Sequence, residues 1–469
     1  MPLRASKVAV AQRLPWSARA RHTRSPTPDD WNLPLSSTTL VSGGANGGGR
    51  TQKVARSGRE NQGAKGADRL AARARSESSF GGTAGGGARH PGLDALRGLA
   101  IIGVLLFHAY IVNVIPHIIW SRTVGQGAEG VGLFFIVSAL TLSASWHHRQ
   151  GRDPKPTAAF WARRFFRIAP LFYVVLVAAW LIGQGKPGYA PHAMAQNVFT
   201  PGNLLAHVTF AFGWIPAYQN SWLGVEWSIG TEMAFYLLFP LLVLWLMPRV
   251  GPIRVLFLGF VTSLAWPWLM AHVFAPWPGW AYAFLFWSLP GQAVWFALGL
   301  ALFWIPRPGR GLDSLSIWMI AAVALAVALM NVPPAYGAVM WAIPGGLLTY
   351  AVWHRLPGVR GITQSRVLQY AGTRSYSWYL LHWPILTAVV LPYFPDAGQQ
   401  GALGFVARLI PMAGLTIVAG ELSYRFIEEP ARKWGQRRIA RWGWAQRRAT
   451  AAPPHEPKLA PQGQLSARR

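Results

Sequence analysis

The sequence predicts an all-α polytopic membrane bundle of about ten transmembrane helices with both termini cytoplasmic, and three observations carry that reading. Only 13% of the 469 residues are charged, against about 25% in a soluble domain. Apolar runs at 93–114, 315–330 and 403–422 approach or reach the roughly 20 residues that a bilayer crossing needs. Basic residues collect in alternate loops and at the two ends of the chain, as they do on a cytoplasmic membrane face.

In chain order, residues 1–88 are rich in Gly, Ser, Arg and Ala, lack apolar periodicity and carry no signal-peptide core, so they read as a disordered basic tail. The transmembrane domain is expected over 89–432. Its spans fall near 93–114, 128–147, 168–184, 222–246, 253–273, 282–304, 314–331, 336–353, 373–393 and 403–424. They must be helices, because a lone crossing segment has to satisfy its own backbone. The half-apolar stretch Leu204–Trp214 reads as interfacial. Residues 433–469 read as a second disordered basic tail. Arg149, Arg152, Lys155, Arg163, Arg164 and Arg167, then Arg249 and Arg254, Arg307 and Arg310, and Arg355, Arg360 and Arg366 follow the even-numbered spans, while the opposite loops hold Arg122, Lys186 and Asp396. The net charge of +28 has the same origin: residues 1–90 hold 15 Lys/Arg against 5 acids, and 425–469 hold 11 against 3. Its concentration in the tails points to a bilayer surface and away from nucleic acid. The absence of cysteine excludes disulfides and thiolate chemistry. Most of the 25 Trp suit the membrane interfaces.

Ionisable groups inside spans are costly and mark function. Arg97, His108, Glu232 and His382 stand out. Arg97 and His108 share the first span eleven positions apart, about three helical turns and roughly 16 Å along one face. The topology puts Arg97 near the cytoplasmic mouth and brings His108, Glu232 and His382 to similar depth. An imidazole there can take a proton from a hydroxyl, with a carboxylate to orient it. The same set suits a proton relay in a glycolipid transporter or flippase, or simple polar glue between helices, so residue chemistry alone leaves these open. Arg163, Arg164 and Arg167 precede the third span, where they serve as positive-inside anchors or grip phosphate. The chain has no G-x-S-x-G elbow, P-loop or H-E-x-x-H, and no metal constellation is expected.

Six segments in order resemble the membrane-bound acyltransferase 3 family, which includes O-antigen, exopolysaccharide and macrolide O-acyltransferases. Leu93-Asp94-Ala95-Leu96-Arg97-Gly98 with His108 resembles its R-x10-H signature. Gly130–Ser138 resembles its second-span motif. Phe160-Trp161-Ala162-Arg163-Arg164-Phe165-Phe166-Arg167-Ile168-Ala169-Pro170 resembles its basic loop. Trp227-Ser228 through Glu232, Phe235-Tyr236 and Pro240 resembles its W-S-x-x-x-E-x-x-F-Y-x-x-x-P. Ser375-Tyr376-Ser377-Trp378-Tyr379-Leu380-Leu381-His382-Trp383-Pro384 and Tyr424–Pro430 resemble its last two motifs. Gly132 stands where the family usually has Asp, and Ala139 where it usually has Gly.

The resemblance covers about residues 90–435. It implies transfer of an acyl group, often acetyl, from acyl-CoA as co-substrate, without a further cofactor, to a hydroxyl of a carbohydrate or glycolipid in the inner membrane. His108, as a general base or through a transient acyl-imidazole, and Glu232, which orients His108 or binds the acceptor, are the implied catalytic residues. Arg97, Arg163, Arg164 and Arg167 are the expected donor-binding set, and Tyr236, Tyr379 and His382 the substrate-binding set. Some members carry a hydrolase-like domain after the last span; with about 45 residues left here, a stand-alone enzyme is expected.

Overall fold

The computed structural model describes residues 90–113, 124–183, 200–273, 281–305, 334–395, 397 and 401–445, and every regular element among them is helical. The fold is all-α. Helix α1 spans Pro91–Ile111, α2 Gly130–Arg149, α3 Pro156–Gly183, α4 Pro201–Val208, α5 Trp227–Leu241 and α6 Pro252–Val273. Then come α7, Ala281–Trp287, α8, Ala293–Trp304, α9, Pro334–Trp353, α10, Arg366–Ile385, α11, Gly401–Ser423, and α12, Glu429–Arg441. Among the described residues six helical stretches are long and apolar enough to cross a membrane: Pro91–Ile111, Gln126–Arg149, Pro156–Gly183, Trp227–Val250, Pro252–Met270 and Gly401–Arg441. The span read at 314–331, the residues before 90 and those after 445 lie outside the described residues.

Helix starts follow local chemistry. The His90 ring accepts from the Leu93 N–H at 3.3 Å, with Pro91 at the first helical position. Thr200 and Ser365 cap α4 and α10 in the same way. Pro156 opens α3, and no breaker follows it until Pro170. The arginine cluster at 163–167 therefore sits on the helix rather than in the loop that the sequence reading gave it. The predicted span 282–304 is also revised. It divides into α7 and α8 around residues 288–292, where Pro290 lacks the donor a continuous helix needs. Leu204–Trp214 contains the end of the eight-residue α4 and a 3₁₀ turn over Ala211–Trp214, too short to cross. At the other end, a π-helical turn over Tyr424–Glu428 joins α11 to α12, so residues 433–441, read as tail, are helical.

Two more π-helical turns follow prolines. Pro240 in α5 precedes Leu242–Leu246, and Pro384 in α10 precedes Leu386–Val390. A missing N–H breaks the regular ladder, and a widened turn absorbs the misfit. Both lie just after the polar residues singled out above, Glu232 and His382.

Helix α1 packs on α10 and α2. Its crossing with α10 is at backbone contact: a Cβ on Gly98 would lie 1.9 Å from the Leu368 carbonyl oxygen, and one on Gly372 would lie 1.7 Å from that of Asp94. Small residues permit such approach where water supplies no apolar drive between helices. The polar helix α10, enclosed by α1, α11 and α3, is thereby set against the helix that carries Arg97 and His108.

Candidate active site

A cavity opens between α1, α2, α3, α5 and α10. Its walls include Arg97 from α1, Ser138 and Thr141 from α2, Arg164 and Arg167 from α3, Ser228, Glu232 and Tyr236 from α5, and Ser375, Tyr376 and Tyr379 from α10. Arg164 and Arg167 are three apart, so one helical face presents both. The intervening geometry turns Arg163 elsewhere: its guanidinium pairs with Asp153 at 2.9 Å, and it is not among the lining residues. The expected donor-binding set thus divides, with Arg97, Arg164 and Arg167 on the cavity and Arg163 beside it.

Two of the charges in the cavity, Arg97 and Glu232, are held by direct hydrogen bonds. Arg97 donates to Asp94 at 2.9 Å and to Thr141 Oγ1 at 3.1 Å. Glu232 Oε1 accepts from Ser138 Oγ at 2.6 Å and from the Tyr236 hydroxyl. The Arg164 guanidinium stands 5.8 Å from the centre of the Tyr236 ring. Tyr379 donates to the Val225 carbonyl at 2.8 Å and accepts from Ser228 Oγ at 2.8 Å. Glu232 is the one carboxylate among the lining residues and Asp94 pairs with Arg97, so Arg164 and Arg167 carry the positive charge that the cavity offers to phosphate.

His108 and His382 meet at the α1–α10 crossing, with ring centres 4.7 Å apart. His108 Nδ1 lies 2.9 Å from the Val104 carbonyl oxygen and 3.2 Å from His382 Nε2. His382 Nδ1 lies 2.6 Å from the Tyr379 carbonyl oxygen. A backbone carbonyl only accepts, so both Nδ1 atoms carry the hydrogen; this assignment follows from the partners. His382 Nε2 then accepts a share of the His108 Nδ1–H. The lone pair on His108 is left on Nε2, the nitrogen able to take a proton. Similar depth predicts that Glu232 either orients His108 or binds the acceptor. The structure instead gives Glu232 to Ser138 and Tyr236 and makes His382 the ring that orients His108. Neither histidine is among the cavity-lining residues. Tyr379 joins the two regions: it lines the cavity, and its ring centre lies 5.6 Å from that of His382.

The acyltransferase-domain family model matches residues 90–421. The chain belongs to the acyltransferase 3 family. It is similar to the O-acetyltransferase OatA of Staphylococcus aureus strain NCTC 8325, 26% identical over 377 residues, covering 75% of this chain and 58% of that protein. It is also similar to the peptidoglycan O-acetyltransferase OatA of Listeria monocytogenes strain EGD-e, 25% identical over 380 residues, covering 74% of this chain and 56% of that one. The chain therefore spans little more than half the length of these acyltransferase 3 relatives. No solved structure matches it significantly.

The Gly132 departure from the family pattern has a packing cause. A Cβ at 132 would lie 2.3 Å from the Trp295 indole, which is 1% exposed. The tryptophan occupies the volume that an acidic side chain at 132 would need.

Two buried features were missed by sequence. Arg408 is 5% exposed within α11; its charge inside an apolar run was a visible signal. His207 and Glu226 form a second histidine cluster, both fully buried and 3.7 Å apart. Glu226 is visible near the fourth motif, but nothing in the spacing links it to a histidine on α4.

Proposed function

We propose that this chain transfers an acyl group, acetyl in the first instance, from cytoplasmic acyl-CoA to a hydroxyl of a carbohydrate or glycolipid acceptor. It does so as a multi-pass protein of the inner membrane with both termini on the cytoplasmic side. The observation that carries the reading is the arginine-lined cavity set beside a histidine whose proton-accepting nitrogen is fixed by backbone and by a second imidazole. Family membership supports acyl transfer. The names of the relatives support acetyl as the group and a cell-wall polysaccharide such as peptidoglycan as the acceptor.

Arg164 and Arg167 from α3, with Arg97 from α1, take the phosphates of the donor. Forked guanidiniums suit this role better than point charges. Glu232, pinned by Ser138 and Tyr236, offers a carboxylate to an acceptor hydroxyl. His108 Nε2 removes the hydroxyl proton as the oxygen attacks the thioester carbonyl. The C–S bond breaks, and the departing CoA sulfur takes the proton back from the imidazolium. His382 keeps His108 in the required tautomer, and Tyr379 borders both the cavity and the histidine pair.

The test uses the purified full chain in nanodiscs. CoA and acetyl-CoA should raise its melting temperature, and radiolabelled acetyl should pass from acetyl-CoA to cell-wall glycan fragments. A glycolipid flippase would bind neither nucleotide. Absence of both stabilisation and transfer would sink the proposal.

A further inference from the structure

A guanidinium inside an apolar helix has to be compensated, and the way Arg408 is compensated carries information. Its Nε donates to the Phe394 carbonyl at 3.1 Å, and Nη2 donates to Phe394 and Pro395 carbonyls at 2.8 and 2.9 Å. Nη1 donates to the Val112 carbonyl at 2.5 Å and to Asn113 Oδ1 at 3.4 Å. These acceptors belong to two helix ends. Val112 and Asn113 follow α1, and Phe394 and Pro395 follow the continuation of α10 through Leu391–Tyr393. Helix C-termini expose unsatisfied carbonyls with partial negative charge, so one cation from α11 serves both.

The two helices it joins carry His108 and His382. They are already locked at Gly98 and Gly372. His108 lies ten residues beyond Gly98 and four before Val112, about 15 Å and 6 Å along the helix. The histidine pair therefore sits between two fixed points: His108 is nearer the arginine, and His382, ten residues beyond Gly372 and twelve before Phe394, is about midway. We infer that Arg408 is a positioning residue: it clamps the ends of α1 and α10 and so holds His108 Nδ1 against His382 Nε2. The turnover part of this inference rests on the acyl-transfer reading; the clamp itself does not.

The experiment separates the two. The chain has no cysteine, so Ile111→Cys and Tyr393→Cys, at positions 45% and 79% exposed, take nitroxide labels at the two helix ends and nowhere else. In the full-length protein, pulsed electron resonance should give a narrow distance distribution. Arg408→Met should broaden it, and Arg408→Lys, which keeps the charge but loses the fork, should fall between. With acetyl-CoA as donor, Arg408→Met should lower kcat on the order of 10–100-fold with KM within about twofold, as small misplacements of reacting groups do. An unchanged distance distribution overturns the clamp. A broadened distribution with unchanged kcat overturns the positioning role. If the labelled parent transfers no acyl group at all, the proposed function fails and the distance arm alone judges the clamp. If the Met variant does not accumulate, the Lys variant carries both readouts, and an unaltered distribution in it is equally decisive against the clamp.

Discussion

Among the described residues two histidine clusters are buried, and they differ in an instructive way. His207 pairs with a carboxylate, Glu226, and stacks on Phe212 and Trp222 with ring centres 4.4 and 5.4 Å apart. His108 pairs with another imidazole. By residue chemistry the first is the better acid–base pair, because a carboxylate both orients and stabilises an imidazolium. Neither pair is among the cavity-lining residues. Under the proposed function the second is the site, because its two helices supply Arg97, Ser375, Tyr376 and Tyr379 to the cavity and Tyr379 borders both, whereas His207 lies on α4, which supplies none of the lining residues. Glu226 instead accepts from the Trp222 N–H at 2.6 Å and shapes the turn that enters α5.

The largest expected effect tests that contrast directly. His108→Ala should abolish acyl transfer, a loss of at least 10²-fold, with normal amounts of protein in the membrane by immunoblot. Glu226→Gln retains an oxygen for Trp222, so it should leave turnover within about threefold while costing about 1–3 kcal/mol in thermal unfolding. The reverse ranking would move the site to the second cluster. Next in size is His382→Asn, which removes the ring that fixes the His108 tautomer. It should reduce kcat on the order of 10–100-fold without changing donor KM. Arg164→Ala should act in the opposite sense, raising acetyl-CoA KM about tenfold with a smaller change in kcat, since it removes ground-state binding. Arg163→Ala, on the Asp153 side, should leave KM nearly unchanged in the same assay. The smallest effect concerns shape. Gly132→Asp should destabilise by about 1–3 kcal/mol because the Trp295 indole blocks it. Trp295→Gly itself leaves a large cavity, so the double variant should remain less stable than the parent, but by less than the sum of the two single losses, since residues in contact are not additive.

Much of the cavity was legible in the sequence because each of five ordered motifs delivers part of its wall: Arg97, Ser138, Arg164 with Arg167, Ser228 with Glu232 and Tyr236, and Ser375 through Tyr379. The all-α class was legible from the charge deficit and the apolar runs. The pairing of side chains was not. Equal depth put His108 beside Glu232, but depth says nothing about rotation around a helix axis, and the Gly98–Gly372 contact turns His108 toward α10. The separation of Arg163 from Arg164 and Arg167 depends on α3 beginning at Pro156, a boundary that the basic run concealed. Trp295 against Gly132 is a tertiary fit between α2 and α8 with no local trace. Arg408 was there to be read, an ionised group in an apolar run, but only the folded helix ends reveal what it holds.

The backbone contact at Gly98 and Gly372 has one more consequence. With no side chain between them at Gly98 and Gly372 and a guanidinium hydrogen-bonded to both far ends, α1 and α10 have little room to separate. Under the proposed acyl transfer, the cavity walls left to yield to a long donor are those of α3 and α5. There the hinges are at hand: Pro170 lies within α3, and the widened turn after Pro240 interrupts α5.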